Sequence, residues 1–531
     1  MTIIYNARLL SFHDGFDGRG LDAMAFDKGK IVALGKGEEL WQLAGGHGGI
    51  SDPKGSGVQV IDAGGRTLMP GFNDTHIHVW KVGDLKGHKL DLRGAGSLDE
   101  MLSSLEAWSR SHPDTPWLTA RGFNEAAWKD GRMPTAADLD KVIPDRPVYV
   151  IRTCAHIAVA NTRAMEIAGI TSAVRAPEGG VIHYDASGRP SGVFSETALG
   201  LITRHIPAPG QKEMKDMFFL AREEFYCRGI TAVTDPAVHP ELMEVYQELD
   251  GAGGLGIRLN AIPILLPDGG AQPFPLPGLY SSDWLQVDTV KFFSDGGLSG
   301  QTAALKRPYK NSIERGVLRL NRGQYSALLR TAMEGGFGVA THAIGDAAIG
   351  FVIDMYREFP GMRRRIEHLC LPERGHLETM AREGIAASMQ TIFLSELGKN
   401  YRRYLDDEYL SHCLPVRSVL DAGILVALSS DAPVVRNFNP LKGVYAAVAR
   451  RDDEGFVIAT DEAIPVHEAL KAYTYSAAAL TGRCSGGSLI VGHDADVVLL
   501  EGDPLSAPPE ELPGLSVSAT FIGGDCVYST L

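Results

Sequence analysis

The sequence predicts an α/β protein: a (β/α)8 TIM-like barrel, a β-sandwich satellite domain formed from both termini, and a subdomain inserted after the first barrel strand. Three observations carry this prediction. Short β-rich segments occur at both ends of the chain, the centre alternates strands with helical stretches, and one long segment interrupts that alternation. Alternating strands and helices indicate a parallel sheet, and at this length a closed barrel.

Size and composition indicate a globular protein of more than one domain, with an enzyme-like composition. The chain has 531 residues, of which 44% are hydrophobic and 22% charged. The net charge of −14 disfavours nucleic acid and anionic membranes as partners. No apolar run approaches the ~18 residues of a membrane span, and the N-terminus lacks the pattern of a secretory signal. Six scattered cysteines without C-x-x-C pairing predict free thiols in the cytoplasm.

The two ends of the chain predict one satellite domain. Residues 1–64 alternate short apolar runs with turn signals, and residues 28–30 fit a tight hairpin that contains glycine. Residues 476–531 repeat this pattern, with strands expected at 496–500 and 519–528. A single β-sandwich built from both ends is the simplest arrangement.

The barrel is expected in two pieces. Residues 65–80 predict its first strand, an apolar run that Pro70 and Gly71 bend just before two histidines. Residues 208–475 predict the remainder, with helices between most strands. The later strands are expected at 229–235, 257–262, 289–295, 338–342, 365–368, 385–389 and 425–431.

Residues 81–207 predict the inserted subdomain, because the connection is far longer than a barrel requires between two strands. Its aromatic and polar side chains suit a cover over the substrate at a barrel mouth. Asn124, Trp128 and His156 are the candidates for substrate contact there. A purely structural role, or a role as an oligomer contact, is an equal alternative for this segment.

His76 and His78 are the first candidate metal ligands. Side chains two residues apart on a strand point to the same face, so both imidazoles can reach one divalent ion. The chain has 16 histidines, however, and an isolated His-x-His pattern is usually incidental. The weight of the prediction therefore depends on the rest of the sequence.

Four later strands end in groups able to complete a metal site, namely Lys291, His342, His368 and Asp431. Barrel enzymes place their chemistry at the carboxyl ends of strands, so ligands should be far apart in sequence and follow apolar runs. All four residues do so. A lysine after a strand is more often a surface charge or an ion-pair partner, and this alternative stays open for Lys291.

The order His-x-His, Lys, His, His, Asp on successive strands, flanked by β-rich ends, resembles the metal-dependent amidohydrolase superfamily. The residue sequences of five motifs resemble, within this superfamily, amidohydrolase family 3, which includes N-substituted formamide deformylases. These motifs are MPGFNDTHIH at 69–78, the segments 156–169 and 178–180, VKFFSDG at 290–296, and the segment 439–450. One departure is Gly492-His493-Asp494-Ala495-Asp496 in place of the usual G-K-x-A-D, which bears on the satellite domain.

The resemblance implies a ligand set. His76, His78 and Asp431 would hold one metal, and His342 and His368 would hold a second. One or two Zn²⁺ ions are expected, because zinc suits sites rich in imidazole, although manganese, cobalt and nickel accept similar ligands.

The resemblance also implies that Lys291 bridges the two metals. A plain ammonium cannot ligate a cation, so Lys291 would carry a carboxyl group on Nζ, whose two oxygens serve two ions. A single metal without this carbamate is the alternative.

This site predicts a hydrolase that acts on carbon–nitrogen bonds other than peptide bonds. A metal-activated hydroxide would cleave an amide or N-formyl group of a small organic substrate. Asp431 would accept the proton of the water and deliver it to the leaving nitrogen. Ring deamination and ester or lactone hydrolysis need the same hydroxide and stay open, as does a non-catalytic binding relative. The glycine-rich segments 296–300 and 335–338 match no phosphate loop.

The remaining expectations concern neighbouring groups and partners. Asp295 is a further candidate for substrate contact. Asp74 would either steady an imidazole or cap a helix or turn, and Asp346 would either contact the substrate or cap a helix or turn. The expected partner is a small-molecule substrate, and a homodimer is the default assembly.

Overall fold

The computed structural model describes residues 1–45, 50, 57–125, 128–153, 157–177, 180–267 and 272–531. These residues form two compact units. The main unit comprises Met1–Val79 and Arg222–Leu531, and the insertion unit comprises Trp80–Ala221. Within the described ranges, every helix is too short or too polar to cross a bilayer.

The main unit contains a barrel of parallel strands that follow one another in chain order. Among the described residues, barrel strands 1 to 8 are Phe72–Asp74, Ile230–Val238, Arg258–Pro263, Thr289–Phe293, Gly338–Ala343, Arg364–His368, Ala386–Met389 and Val426–Leu428. Parallel ladders join strands 1 to 3 and strands 4 to 8, and a parallel bridge between Ile264 and Lys291 links the two sets. The predicted barrel is confirmed.

Backbone hydrogen bonds just beyond the strand ends join barrel strand 8 to barrel strand 1. Asp431 N donates to His76 O at 2.7 Å, and His78 N donates to Ala432 O at 2.9 Å. The segments that carry the predicted ligands His76, His78 and Asp431 are therefore held side by side by the main chain.

Helices of the expected amphipathic kind follow the barrel strands. Asn321 caps one of them, since its side chain accepts from Gln324 N, and Gly384 ends another with φ +63°, a conformation that glycine adopts without strain. The helices are Gln211–Tyr226, Pro240–Gly251, Arg322–Glu334, Asp346–Arg357, Arg374–Glu383, Ile392–Tyr404, Asp407–Ser411, Val416–Asp421, Pro440–Ala449, Val466–Tyr473 and Tyr475–Leu480. Two short strands, Tyr280–Ser281 and Leu285–Val287, extend the sheet beside barrel strand 3.

The β-sandwich takes strands from both ends of the chain, as predicted. A four-stranded sheet has the order Lys30–Gly35, Ala23–Asp27, Thr2–Tyr5, Gln59–Asp62. A five-stranded sheet has the order Arg8–Leu9, Thr67–Pro70, Val497–Leu500, Val517–Ile522, Asp525–Ser529. Ile4 and Met24 of the first sheet share a buried core with Leu68 and Val497 of the second. One helix, Gly37–Leu43, belongs to the same region.

The first barrel strand begins later than the predicted segment 65–80. Thr67–Pro70 pairs with Val497–Leu500 in the sandwich, and Phe72–Asp74 pairs with barrel strand 2. Gly71 separates the two strands, and a Cβ atom there would lie 2.2 Å from Thr231 Cγ2, so this close approach requires glycine. His76 and His78 therefore follow the strand rather than lie on it.

The segment that departs from the family motif lies in the sandwich and contacts the barrel. The Asp496 carboxylate accepts from Arg258 Nε at 2.9 Å and Nη2 at 3.1 Å, and from Gly523 N at 2.6 Å. Arg258 is the first residue of barrel strand 3. Both charged side chains are 7% exposed, so this pair joins sandwich and barrel through a buried contact.

We expect Asp496→Ala to lower the free energy of unfolding by about 3 to 5 kcal/mol, because Arg258 would keep a buried charge without its partner. Urea denaturation of the purified protein measures this loss. Glu378→Ala is the matched control, since Glu378 pairs with Arg374 at the surface, where the two side chains are 63% and 92% exposed. Such a pair contributes about 1 kcal/mol or less. Equal losses in the two variants would contradict the expectation.

The insertion unit contains its own sheet, which confirms an inserted subdomain after the first barrel strand. Its strands have the order Gly180–Tyr184, Pro190–Glu196, Ile157–Ala160, Val148–Arg152, Leu118–Phe123, Leu90–Asp91. Its helices include Val79–Gly87, Leu98–Ser111, Ala136–Asp140, Thr162–Ile167 and Gly200–Thr203. One face of the sheet, with Leu118 and Val150, packs with Met101 and Leu105 of the second of these helices.

Candidate metal centre

The predicted ligands lie at the carboxyl ends of the barrel strands or just beyond them. His76 and His78 follow barrel strand 1, Lys291 lies in strand 4, His342 in strand 5, His368 ends strand 6 and Asp431 follows strand 8. The carboxyl ends of barrel strands meet at one mouth. Side chains from distant parts of the sequence are therefore brought to one place.

His76, His368 and Asp431 form the centre of the cluster. Each offers one ligand atom, and these three atoms lie within 4.8 Å of one another. His76 Nε2 is 3.5 Å from Asp431 Oδ1, and the rings of His76 and His368 are 4.9 Å apart between centroids. All three side chains are buried. Two imidazoles and a carboxylate at this spacing fit a divalent metal such as zinc.

His78 and His342 extend the cluster on either side. His78 Nε2 is 3.3 Å from Asp431 Oδ1. The ring centroids of His342 and His368 are 4.4 Å apart, and His342 Nε2 lies 3.1 Å from Gly296 O. The structure therefore brings all four predicted histidines together with Asp431.

Lys291 is fully buried in the barrel, which excludes the interpretation of a surface charge. Its Nζ lies 5.0 Å from the centroid of the Phe293 ring. Burial lowers the pKa of His76, and the charge of Lys291 lowers it further. Burial, together with His342, His76 and Lys291, likewise lowers the pKa of His368. Both imidazoles are thus neutral at pH 7, the form that binds metal ions.

Asp431 is ionised despite its burial. Burial by itself would raise the pKa of this carboxyl, but the neighbouring His76, His78 and Lys291 outweigh it, and the net pKa is lowered. A carboxylate flanked by imidazoles can act both as a metal ligand and as a proton acceptor.

Left-handed backbone conformations direct two of the ligands. His368 has φ +75° and Asp431 has φ +58°, which residues other than glycine rarely adopt. Glu367 and His368 are neighbours on a strand, where alternation would point them to opposite faces. The turn at His368 breaks this alternation, so Glu367 contacts His76 while His368 joins the same cluster.

Glu367 and Gln390 orient two imidazoles, and sequence reasoning missed both. Glu367 Oε2 accepts from His76 Nδ1, and Glu367 Oε1 accepts from Arg365 Nε at 2.5 Å. Gln390 Oε1 accepts from His368 Nδ1 at 2.7 Å. Each contact engages Nδ1 and leaves Nε2 for a metal.

Signals for both residues were present in the sequence. Glu367 lies on a predicted barrel strand two residues after Arg365, and a carboxylate buried in a barrel is costly unless it is paired. Gln390 directly follows barrel strand 7, and the carboxyl end of a strand is where barrel enzymes carry functional groups.

Asp74 and Asp346 cap backbone segments. Asp74 Oδ1 accepts from His76 N at 3.2 Å and from Ser430 N at 3.1 Å, so it holds the ends of barrel strands 1 and 8 together. Burial raises the pKa of Asp74 to about 7. Asp346 accepts from Lys306 N at 2.8 Å and from Tyr409 Oη at 2.9 Å. These contacts agree with the alternative in which Asp74 and Asp346 cap backbone segments.

Asp295 organises the loop that follows barrel strand 4. Its carboxylate accepts from Ala304 N at 2.9 Å, Ile344 N at 3.1 Å and Gly345 N at 2.9 Å. His342 Nε2 lies 3.4 Å from Asp295 Oδ1. These observed contacts position His342, and direct contact of Asp295 with substrate stays a prediction.

The other substrate-contact candidates belong to the insertion unit. Trp128 packs in its hydrophobic core, and Trp128 Nε1 donates to Ala95 O at 2.9 Å. Those are the contacts of a core residue. Asn124 Oδ1 accepts from Arg152 Nη2 at 3.1 Å. His156 lies outside the described residues, and substrate contact by these side chains stays a prediction.

Known proteins resemble this chain over nearly its whole length. YtcJ from Bacillus subtilis (strain 168) is 29% identical over 97% of this chain and 99% of its own. An N-substituted formamide deformylase from Arthrobacter pascens is 28% identical over 89% of this chain and 90% of that enzyme. A solved structure, an uncharacterized metal-dependent hydrolase from Pyrococcus horikoshii OT3, has a TM-score of 0.79 at 24% identity and covers 96% of this chain and 99% of that one.

The match to a family profile covers most of the sequence. The profile of the amidohydrolase family matches residues 59–528, which include all six predicted ligands. The chain therefore belongs to the amidohydrolase family, in the branch called amidohydrolase family 3, and is a hydrolase.

Proposed function

We propose that this protein is a metal-dependent hydrolase that cleaves a carbon–nitrogen bond, an amide or N-formyl group, in a small organic substrate. One observation carries the proposal: donor atoms of His76, His368 and Asp431 lie within 4.8 Å of one another at the mouth of the barrel. The 28% identity to an N-substituted formamide deformylase supports the class of bond.

The metal would be held by side chains already close together. His76, His78 and Asp431 would hold one divalent ion, and His342 and His368 a second. Zinc is the proposed ion, because imidazole and carboxylate ligands suit it. When bound, such an ion lowers the pKa of a water molecule towards neutrality and polarises a carbonyl group.

Lys291 would bridge two ions after carboxylation of its Nζ by CO2. An ammonium would repel the cations, whereas a carbamate offers two oxygens and a negative charge. The complete burial of Lys291 beside the histidine cluster supports this proposal. Carbon-13 NMR after incubation with labelled bicarbonate would detect the carbamate carbon, and Lys291→Arg would lack that signal.

The protein's own side chains would position and transfer protons. Asp431 would accept a proton from the attacking water and later donate it to the leaving nitrogen. Its lowered pKa keeps it in the accepting form. Glu367 and Gln390 would hold His76 and His368 in the orientation that presents Nε2 to the site.

Metal analysis combined with a product assay tests the proposal. We expect at least one zinc per chain by mass spectrometry, and release of formate or another carboxylate with an amine from N-formyl, N-acyl or cyclic amide compounds. Removal of metal by a chelator should abolish turnover, and zinc should restore it. Turnover of esters, lactones or aminated rings alone would contradict the proposal that the enzyme cleaves an amide or N-formyl bond. Activity of a protein without metal would contradict the proposed mechanism.

The proposals for assembly and location are those expected from the sequence. We propose a homodimer that acts on a small molecule in the cytoplasm, without nucleic acid or membrane partners. Five of the cysteines, all within the described residues, are free thiols, which agrees with a reducing compartment. Light scattering during size-exclusion chromatography measures the assembly.

A further inference from the structure

We propose that a chain of three buried hydroxyl groups positions the side-chain amide of Gln390, and that this amide keeps the ring proton of His368 on Nδ1. The hydroxyl groups belong to Thr75, Ser388 and Ser429, and they are fully buried, as is Gln390. They lie at or next to the carboxyl ends of barrel strands 1, 7 and 8. This proposal rests on the proposed function, in which His368 binds a metal, and it adds positioning residues to that site.

The Gln390 amide contacts three polar groups. Gln390 Oε1 accepts from His368 Nδ1 at 2.7 Å. Gln390 Nε2 donates to Ser429 Oγ at 2.9 Å and to the main-chain oxygen of Ser388 at 3.4 Å. The amide therefore directs its two protons to the serines and its oxygen to the imidazole.

A reversed amide would move the ring proton of His368. The NH2 group of Gln390 would then face His368 Nδ1, which would have to accept, and the ring proton would lie on Nε2. A ring nitrogen that carries a proton has no lone pair for a metal ion. The main-chain oxygen of Ser388 opposes this reversal, because it can only accept and would face the oxygen of the reversed amide.

The three hydroxyl groups have one direction of donation that satisfies them all. Thr75 Oγ1 lies 2.8 Å from Ser388 Oγ, its one hydrogen-bond partner within the described part of the chain. Ser388 Oγ lies 3.0 Å from Ser429 Oγ, which donates to Met389 O at 3.3 Å. The proton of Thr75 thus goes to Ser388, that of Ser388 to Ser429, and that of Ser429 to a carbonyl group. Ser429 Oγ is left to accept from Gln390 Nε2, which holds the amide in the observed direction.

The same network reaches the groups that hold His76. Thr75 O accepts from Arg365 Nη2 at 3.3 Å. Arg365 Nε donates to Glu367, which accepts from His76 Nδ1. Polar contacts therefore run from the Nδ1 atom of one imidazole to the Nδ1 atom of the other, and Thr75 lies between the two halves.

Nitrogen-15 NMR of the full-length, metal-free protein with labelled histidine rings tests the proposal. The signals of His368 are those that His368→Ala removes. In wild type, we expect His368 Nδ1 to carry the proton and Nε2 to be free. Ser429→Ala removes an acceptor of the Gln390 amide, so part of the protein should carry the His368 proton on Nε2. Identical ring-nitrogen signals in wild type and Ser429→Ala would overturn the proposal.

The zinc affinity of the metal-free protein, measured by calorimetry, gives a second readout. Ser429→Ala should weaken zinc binding about 3- to 10-fold, the effect of one neutral hydrogen bond. Gln390→Leu removes the acceptor of His368 altogether and should weaken zinc binding about 10- to 100-fold. Unchanged zinc affinity in both variants would overturn the proposal.

Ser488→Ala is the matched control for the loss of a buried hydroxyl. Ser488 is 2% exposed, and its Oγ lies 2.8 Å from Nδ1 of a different histidine, His493, in the sandwich. This variant should lower Tm but leave zinc affinity and the His368 signals unchanged. If it weakens zinc binding as much as Ser429→Ala does, the effect is one of stability and the proposal fails. The NMR measurement needs neither zinc nor substrate, so failure of this proposal and failure of the proposed hydrolase are distinguishable.

Discussion

His76→Ala and Asp431→Asn are each expected to lower kcat/KM for amide or N-formyl hydrolysis by about 10³-fold or more. His76 supplies one of the three donor atoms at the centre of the cluster, and its removal would leave the ion proposed for His76, His78 and Asp431 with only two of those side chains. Asp431 lies between two imidazoles, and an amide in its place can neither accept a proton nor balance the charge of a cation.

Measurements of metal content and of folding distinguish the loss of bound zinc from the loss of folded structure. His76→Ala should lose bound zinc, measured by mass spectrometry, while its far-UV circular dichroism matches that of wild type. His467→Ala is the matched control, because this histidine is 51% exposed and far from the strand ends in sequence. It should keep both zinc and activity. Retained turnover by folded His76→Ala or Asp431→Asn would contradict the proposed hydrolase.

Glu367→Gln is expected to have the second-largest effect, on stability and on metal affinity together. Glu367 lies between the imidazole of His76 and the guanidinium of Arg365, and all three groups are buried. Without the carboxylate, Arg365 keeps an uncompensated charge, so the free energy of unfolding should fall by about 3 to 5 kcal/mol. Glutamine offers one neutral oxygen where the carboxylate offers separate charged oxygens to His76 and Arg365, so the His76 ring loses its charged acceptor and zinc affinity should fall about 10- to 100-fold.

A double variant distinguishes the two roles of Glu367. Arg365→Met combined with Glu367→Gln removes both charges and should recover most of the lost stability, measured by urea denaturation, while zinc affinity stays low. Glu378→Gln provides the control for a carboxylate paired at the surface, with Arg374, and should change stability by about 1 kcal/mol or less. A single Glu367→Gln variant as stable as wild type would contradict a buried ion pair.

The barrel was predictable because short extended segments, most of them rich in apolar residues, alternate with helical stretches through the centre of the chain. The first strand was placed wrongly for a physical reason. Thr67–Pro70 and Phe72–Asp74 are both buried and extended, but they join different sheets across Gly71. The pattern of side chains predicts that a segment is a strand, and long-range pairing decides which sheet it joins.

The cluster of His76, His368 and Asp431 was predictable because few residue types can bind a divalent ion and barrel enzymes carry them at strand ends. Glu367 and Gln390 were not found, since they act on other ligands and their residue types are common in many settings. The substrate contact predicted for Trp128 stays a prediction. The structure packs this side chain in the core of the insertion unit, a position that the aromatic and polar composition of the segment did not reveal.

The junction between the first and last barrel strands has a thermodynamic consequence. His76 and Asp431 are joined there by a direct main-chain hydrogen bond, although they stand near opposite ends of the barrel's sequence. An ion shared by these residues would act as a non-covalent cross-link that encloses most of the polypeptide. Separation of barrel strands 1 and 8 and release of the ion would then be one cooperative event. The affinity of the site for the ion would set how often these strands separate.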